Sequence, residues 1–266
     1  MASGTHRELS PPGTCMDKAR QQTFELPDKA LTSLPTGAVK DTVEHLGKSV
    51  VQGVFATDAI LPREEELVDS LGVSRTVVRE AIKVLCGKGL VRTARRYGSR
   101  VCPFESWNLL DPDVIRWHDP DSPRTARIYA EATDLRLIVE PEAAALAAMN
   151  ATPQQRDIIL AAADGITPVN GEESMIGADY TFHATILQAS GNLMLAQLQN
   201  VIYAVLLFSY SAGRAGAPEE QVSRRNHLSV AEAIAGGEAD LARTRMRDML
   251  AQNKAIAEKF AATAGR

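Results

Sequence analysis

Apolar positions in the first hundred residues recur at helical spacing in short runs. Val39, Val43, Leu46, Val50 and Val54 fall three and four apart, which predicts a helix from Ala38 to Gly53. Pro62 stands ahead of Glu64, Glu65 and Glu66, acids that suit the positive end of a helix dipole, so a second helix is expected from Glu64 to about Leu71. Gly72-Val73 supplies a turn and Ser74 an N-cap. Val77, Val78, Ala81, Ile82 and Leu85 then define the buried stripe of a third helix, and a hairpin follows around Gly98. Beyond residue 124 the apolar runs lengthen. Pro153, Gly191-Asn192, Pro218 and Gly236-Gly237 divide them into helices over 124–149, 153–164, 172–190, 192–211, 218–236 and 238–262, with no strand pattern. In residues 104–123, Asp111-Pro112 starts a short helix that reaches about Trp117. Trp107 and Trp117, the chain's two tryptophans, are expected to pack one domain on the other. Residues 1–36 hold Pro11, Pro12, Gly13, Pro27 and Pro35 among polar residues and are expected to be a passive, mostly disordered tail.

Charge turns the first part into a function. The chain carries a net charge of −4, yet from Ser74 to Arg100 the bases Arg75, Arg79, Lys83, Lys88, Arg92, Arg95, Arg96 and Arg100 meet one acid, Glu80. A local basic face on an acidic protein is the footprint of a nucleic-acid binder. Arg75 and Arg79 share a face away from the apolar stripe, at the start of a helix that follows a tight turn. That geometry enters a major groove. Arg95, Arg96 and Gly98 would form a wing on the backbone or minor groove.

The runs that carry this pattern are Leu61 to Leu67, Gly72 to Ile82, Gly89-Leu90-Val91 and Gly98 to Val101. They resemble the winged helix-turn-helix of the GntR family of transcription factors. The resemblance implies contacts to double-stranded, palindromic operator DNA from Arg63, Ser74, Arg75, Thr76, Arg79, Lys83, Arg95, Arg96 and Gly98, made by a homodimer. This chain departs from the family at Glu65, where an arginine is common. A carboxylate there repels phosphate, so Glu65 is left out of the contact set.

In the second half, Asp179 and His183 are four residues apart on one predicted helix and can share one metal. Arg136 falls among Leu135, Ile138, Val139 and Ala143 on a core helix, where a buried guanidinium wants an anion. Glu140 is its nearest internal partner, and an organic acid is the alternative. Asn200 and Tyr203 would hold such an acid's hydroxyls. This half resembles the FCD effector domain of the FadR-type branch of the GntR family. The resemblance implies metal ligation by Asp179, His183 and His227, with zinc the first expectation and manganese or nickel alternatives. The family's third histidine is replaced by Met249, a poor ligand for hard ions. The Trp107–Trp117 linker is similar to that of regulators of hexonate catabolism, which implies a small carboxylate effector such as D-galactonate.

The expected architecture is mainly α. A tail (1–36) precedes a winged helix-turn-helix domain (37–103), a linker (104–123) and an all-helical FCD-like effector and dimerisation bundle (124–262). No run of about 18 apolar residues can span a membrane. No apolar signal core opens the chain, and Cys15, Cys86 and Cys102 form no zinc or redox motif, so reduced thiols in a cytoplasmic protein are expected. A metal-dependent enzyme would leave the basic winged part without a role. A sensor of lactate, pyruvate, an acyl compound or metal alone stays open.

Overall fold

The computed structural model describes residues 1, 23–24, 34–94, 98–212 and 220–264. The N-terminal unit consists of α1 (Ala38–Val51), α2 (Glu64–Leu71), α3 (Arg75–Gly87) and an antiparallel hairpin of β1 (Val91–Ala94) and β2 (Gly98–Val101) that pairs Val91 with Val101. Gly72 ends α2 in the left-handed region (φ 65°, ψ 30°), a conformation with little cost only for glycine. Ser74 caps α3, its Oγ accepting from the Val77 N–H at 3.3 Å. Val43, Leu46, Leu67, Val78, Leu85 and Leu90 close the core between these elements. α1 stops short of the expected Gly53. The N–H groups of Gly53 and Val54 fold back onto Val50 O and Ser49 O, which leaves Val54 70% exposed.

The segment expected to be a linker is built into both cores. Asp111 Oδ1 accepts from the N–H groups of Asp113 and Val114 and so starts α4 (Pro112–Arg116). Trp107, Val114 and Trp117 join the winged core, and a Cβ on Gly47 of α1 would lie 2.5 Å from the Trp117 ring. Ile115 belongs instead with Tyr129, Val201, Val205 and Ala257 of the helical bundle.

The bundle comprises α5 (Pro123–Asn150), α6 (Pro153–Asp164), α7 (Glu172–Ala189), α8 (Leu193–Ala196), α9 (Gln199–Ala212), α10 (Glu220–Ala235) and α11 (Ala239–Ala264). α11 runs along α5, where small residues such as Ala143, Ala144 and Ala147 let helices approach closely. The expected 192–211 helix is two. Asn192 Oδ1 caps a four-residue α8, and the chain restarts at Gln199. Ile138, expected in the core, is 72% exposed on α5. The expected tail lies mainly outside the described residues, but Phe24 is anchored. Its N–H donates to Ser174 Oγ at 3.2 Å, and it packs on the bundle core.

Candidate functional sites

The winged unit presents one set of candidates. Arg75, Thr76, Arg79 and Lys83 are exposed on α3, opposite the buried Val78, Ala81, Ile82 and Leu85. Ser74 caps this helix. Arg63 is exposed at the start of α2, where its N–H donates to Glu66 Oε2 at 2.7 Å. Gly98 opens β2 with φ 76°. Arg95 and Arg96, expected at the wing tip, lie outside the described residues. Two acids of α2 hold the α3 arginines: Glu65 Oε1 is 2.9 Å from Arg75 Nη2, and Glu64 Oε2 is 2.8 Å from Arg79 Nε. These side chains are largely exposed, and such pairs are worth at most about 1 kcal/mol, so phosphate or a base edge can displace them.

Lys88 corrects the sequence reading of the basic face. It caps the C-terminus of α3 but is buried at 4% exposure. Its Nζ donates to both Asp111 oxygens (2.8 and 2.7 Å) and to Asp113 Oδ2 at 2.9 Å. It fastens α3 to α4 rather than facing outward.

The second set converges inside the bundle. Asp179 and His183 sit one turn apart on α7, and His227 comes from α10. One ligand atom from each lies within 4.8 Å of the others. Asp179 Oδ1 stands 3.2 Å from His183 Nε2 and 3.3 Å from His227 Nε2. Donors bound to one tetrahedral ion at about 2.0–2.1 Å are separated by about 3.3 Å. Phe182 meets both imidazoles edge-on, at centroid distances of 5.0 and 4.9 Å. Arg136 and Glu140, one turn apart on α5, complete the cluster. Arg136 Nε donates to Glu140 Oε1 at 2.5 Å, and its Nη2 lies 2.9 Å from His183 Nε2. His183 Nδ1 is 2.5 Å from Glu140 Oε2, a close approach off the hydrogen-bond axis.

The donor set fits a divalent ion. His227 Nδ1 faces the Ser223 carbonyl at 2.8 Å, and a carbonyl only accepts, so the ring's proton is there. Nε2, turned towards the Asp179 carboxylate at 3.3 Å, makes no hydrogen bond of good geometry among the described residues. A cation shared between them, either a second ring proton or a metal ion, makes that arrangement favourable, and the three donors stand at the spacing one ion needs.

Electrostatics agree. Burial opposes ionisation of Asp179, but the two imidazoles outweigh it and hold the carboxyl well below its usual range. Burial likewise opposes Glu140, yet Arg136 and His183 bring its pKa down to about 2. For His183, burial disfavours the cation, but Glu140 and Asp179 prevail over that and over Arg136, and its pKa is raised. Both carboxylates therefore stay charged in the interior.

Residues 38–101 match the bacterial regulatory proteins of the gntR family, and residues 131–252 match the FCD domain. The galactonate operon transcriptional repressor of Escherichia coli K12 is 30% identical over 218 residues, 78% of this chain and 91% of that protein. The chain belongs to the GntR family. It is a DNA-binding transcriptional regulator with an FCD domain, in the FadR-type branch. The YieP regulator of the same organism is 32% identical over 169 residues, 61% of this chain and 71% of its own. A putative regulatory protein of its L-lactate dehydrogenase operon is 30% identical over 196 residues, 70% of this chain and 73% of its own. A solved structure of Lar from Listeria monocytogenes shares the fold, with a TM-score of 0.61 at 18% identity, over 85% of this chain and 98% of that one.

Within this GntR-family chain, Met249 is 3% exposed and belongs to the apolar core. Tyr203 meets Tyr180, the neighbour of Asp179, at a ring-centroid distance of 5.4 Å, and Asn200 is half-buried on α9. Sequence reasoning paired Glu140 with Arg136 but missed its approach to His183. Their i, i+4 spacing was the available signal for the first contact. Nothing local marks the second.

Proposed function

We propose that this regulator is a repressor that binds a palindromic operator as a homodimer and releases it when an organic acid enters the FCD domain. Aldonates are the favoured class and D-galactonate the first candidate. The division behind this reading is a tail to residue 36, a DNA-binding unit at 37–103, a connecting segment at 104–123 and an effector and dimerisation unit at 124–262. Arg63, Ser74, Arg75, Thr76, Arg79, Lys83, the Arg95-Arg96 wing and Gly98 would contact DNA. Arg136 would take the carboxylate, with Asn200 and Tyr203 near the hydroxyls. Asp179, His183 and His227 would hold zinc, or manganese or nickel, and a bound ion would offer the acid's oxygens a Lewis-acidic anchor.

One observation carries the reading. A guanidinium, two carboxylates and two imidazoles are buried together inside an otherwise apolar bundle. Burying ionised groups is expensive, and a polar cluster of this kind is kept for recognition rather than stability. The relatives support an acid, since two of them are named for galactonate and L-lactate dehydrogenase operons. No helix among the described residues is long and apolar enough to cross a membrane. A regulator that meets its effector in the cytoplasm is the reading we adopt.

The test is a thermal-shift panel of aldonates, aldarates, lactate, pyruvate and short acyl compounds, with and without EDTA. A true effector at 100 times its Kd stabilises by about 2.7 kcal/mol. It must also release the protein from a fragment selected from random DNA. An aldonate shift abolished by EDTA supports the metal-assisted reading, and one that survives EDTA assigns the contacts to side chains alone. If no acid moves the curve, the effector class is wrong.

A further inference from the structure

We infer that Arg136 and the metal compete for the same lone pair of His183, so that metal binding releases the guanidinium edge that grips the effector. The inference rests on the metal-assisted reading above and adds a regulatory order to it.

Three features of the cluster carry it. Arginine has hydrogens to offer and no acceptor, so His183 Nε2, 2.9 Å from Arg136 Nη2, presents its lone pair to the guanidinium. The same Nε2 lies 3.2 Å from Asp179 Oδ1 and is the atom His183 would offer an ion shared with Asp179 and His227. A metal–imidazole bond of about 2.0–2.1 Å is shorter than the present contact, so an ion there takes the line along which the N–H now points. An imidazole nitrogen has one lone pair and cannot serve both.

Charge gives the exchange a direction. Asp179 and Glu140 contribute −2 and Arg136 +1, so these three groups sum to −1 and favour a cation. A divalent ion takes the sum to +1, which favours an anion. The second bond of Arg136, Nε to Glu140 Oε1 at 2.5 Å, touches no metal ligand and anchors the side chain while Nη2 moves. A displaced Nη2 is a free donor on a desolvated guanidinium, the group that best meets a carboxylate. Metal and acid should therefore bind with positive cooperativity, each tightening the other by the same factor. Without metal, Arg136 is occupied by Glu140 and His183, and the cluster carries the wrong charge for an anion.

The experiment uses the full-length protein stripped with EDTA and titrated with zinc alone, without any acid. Calorimetry compares wild type with Arg136→Lys, which keeps the charge beside Glu140 but is too short to reach His183. Zinc should bind Arg136→Lys about tenfold or more tightly than wild type, because the competitor has gone. Equal or weaker binding by a folded variant overturns the inference and leaves the metal and acid readings standing. If neither protein binds zinc, the metal-assisted reading falls and takes the inference with it. Should Arg136→Lys not fold, wild type alone decides by nitrogen-15 NMR of the buried Arg136 guanidinium during a zinc titration. Its Nη protons should pass from restricted to averaged exchange. A guanidinium signal that zinc leaves unchanged, while calorimetry records zinc bound, overturns the inference as well.

Discussion

Replacing Lys88 by Met should unfasten α3 from α4 at a measurable cost. The Nζ makes three charge-assisted hydrogen bonds of 2.7 to 2.9 Å to Asp111 and Asp113 at a site where Lys88 is 4% exposed. Met fills nearly the same volume, so the loss is electrostatic. Removing one partner of a buried ion pair costs about 3–5 kcal/mol, because the other charge stays behind. Here the carboxylates keep some support: Asp111 Oδ1 still caps α4, and Asp113 Oδ1 still accepts from Arg116 at 3.0 Å. The lower end, about 3 kcal/mol, is therefore expected. Urea unfolding followed by tryptophan fluorescence reads this unit directly, because Trp107 and Trp117 both lie in the winged core. With m near 1–3 kcal/mol/M, the midpoint should fall by about 1–3 M. A double variant, Lys88→Met with Asp113→Asn, should recover part of the loss by removing one stranded charge. A single-variant loss under about 1 kcal/mol would refute the buried pair and return Lys88 to the basic outer face.

Gly47→Ala should destabilise the winged unit by about 1–3 kcal/mol in the same urea assay, since its Cβ would meet the Trp117 ring at 2.5 to 2.8 Å; an unchanged midpoint would mean that ring is not seated on α1. Glu140 links stability to acid. Its folded pKa of about 2 lies below the ordinary 4.5, so its contribution is complete above pH 4.5 and is lost as pH falls towards 2. At about 1.36 kcal/mol per pKa unit this is of the order of 3 kcal/mol. Glu140→Gln should therefore be less stable than wild type at neutral pH, and the gap should close on acidification; a gap that holds constant with pH would contradict the assignment. Arg75→Ala and Arg79→Ala should each weaken binding to a selected operator by about 1–3 kcal/mol if they read bases, and equal losses on random DNA would reassign them to phosphate.

Local chemistry explains which parts of the fold were legible. The ends of α2 and α3 follow from Gly72 and Ser74, residues that act on their immediate neighbours. Asp179 and His183 were legible as a pair because a single helix turn joins them. His227 carries no local sign of its partners, and only the family resemblance singled it out. Ile138 misled because it stands two positions from the buried Arg136, about 200° round the helix, and so faces away from the side of α5 that Arg136 buries. Lys88 misled for the opposite reason. It continues a row of bases in sequence, but α3 ends there and Gly89, with φ 76°, turns the chain so that the lysine meets Asp111 and Asp113, more than twenty residues on. An exposed base and a buried ion-pair partner look alike until the acid's position is known.

That same lysine gives α4 its significance. α4 turns Val114 towards the winged core, where Trp117 just beyond it also packs, and Ile115 towards Val201 and Val205 of α9. α9 also carries Asn200 and Tyr203, and α4 is fastened through Lys88 to the end of the helix that presents Arg75 and Arg79. Adjacent residues of a five-residue helix are thus committed to different cores, and they cannot be displaced independently. A close-packed interior does not deform smoothly, so a shift of α9 is either absorbed within the bundle or passed whole to α4.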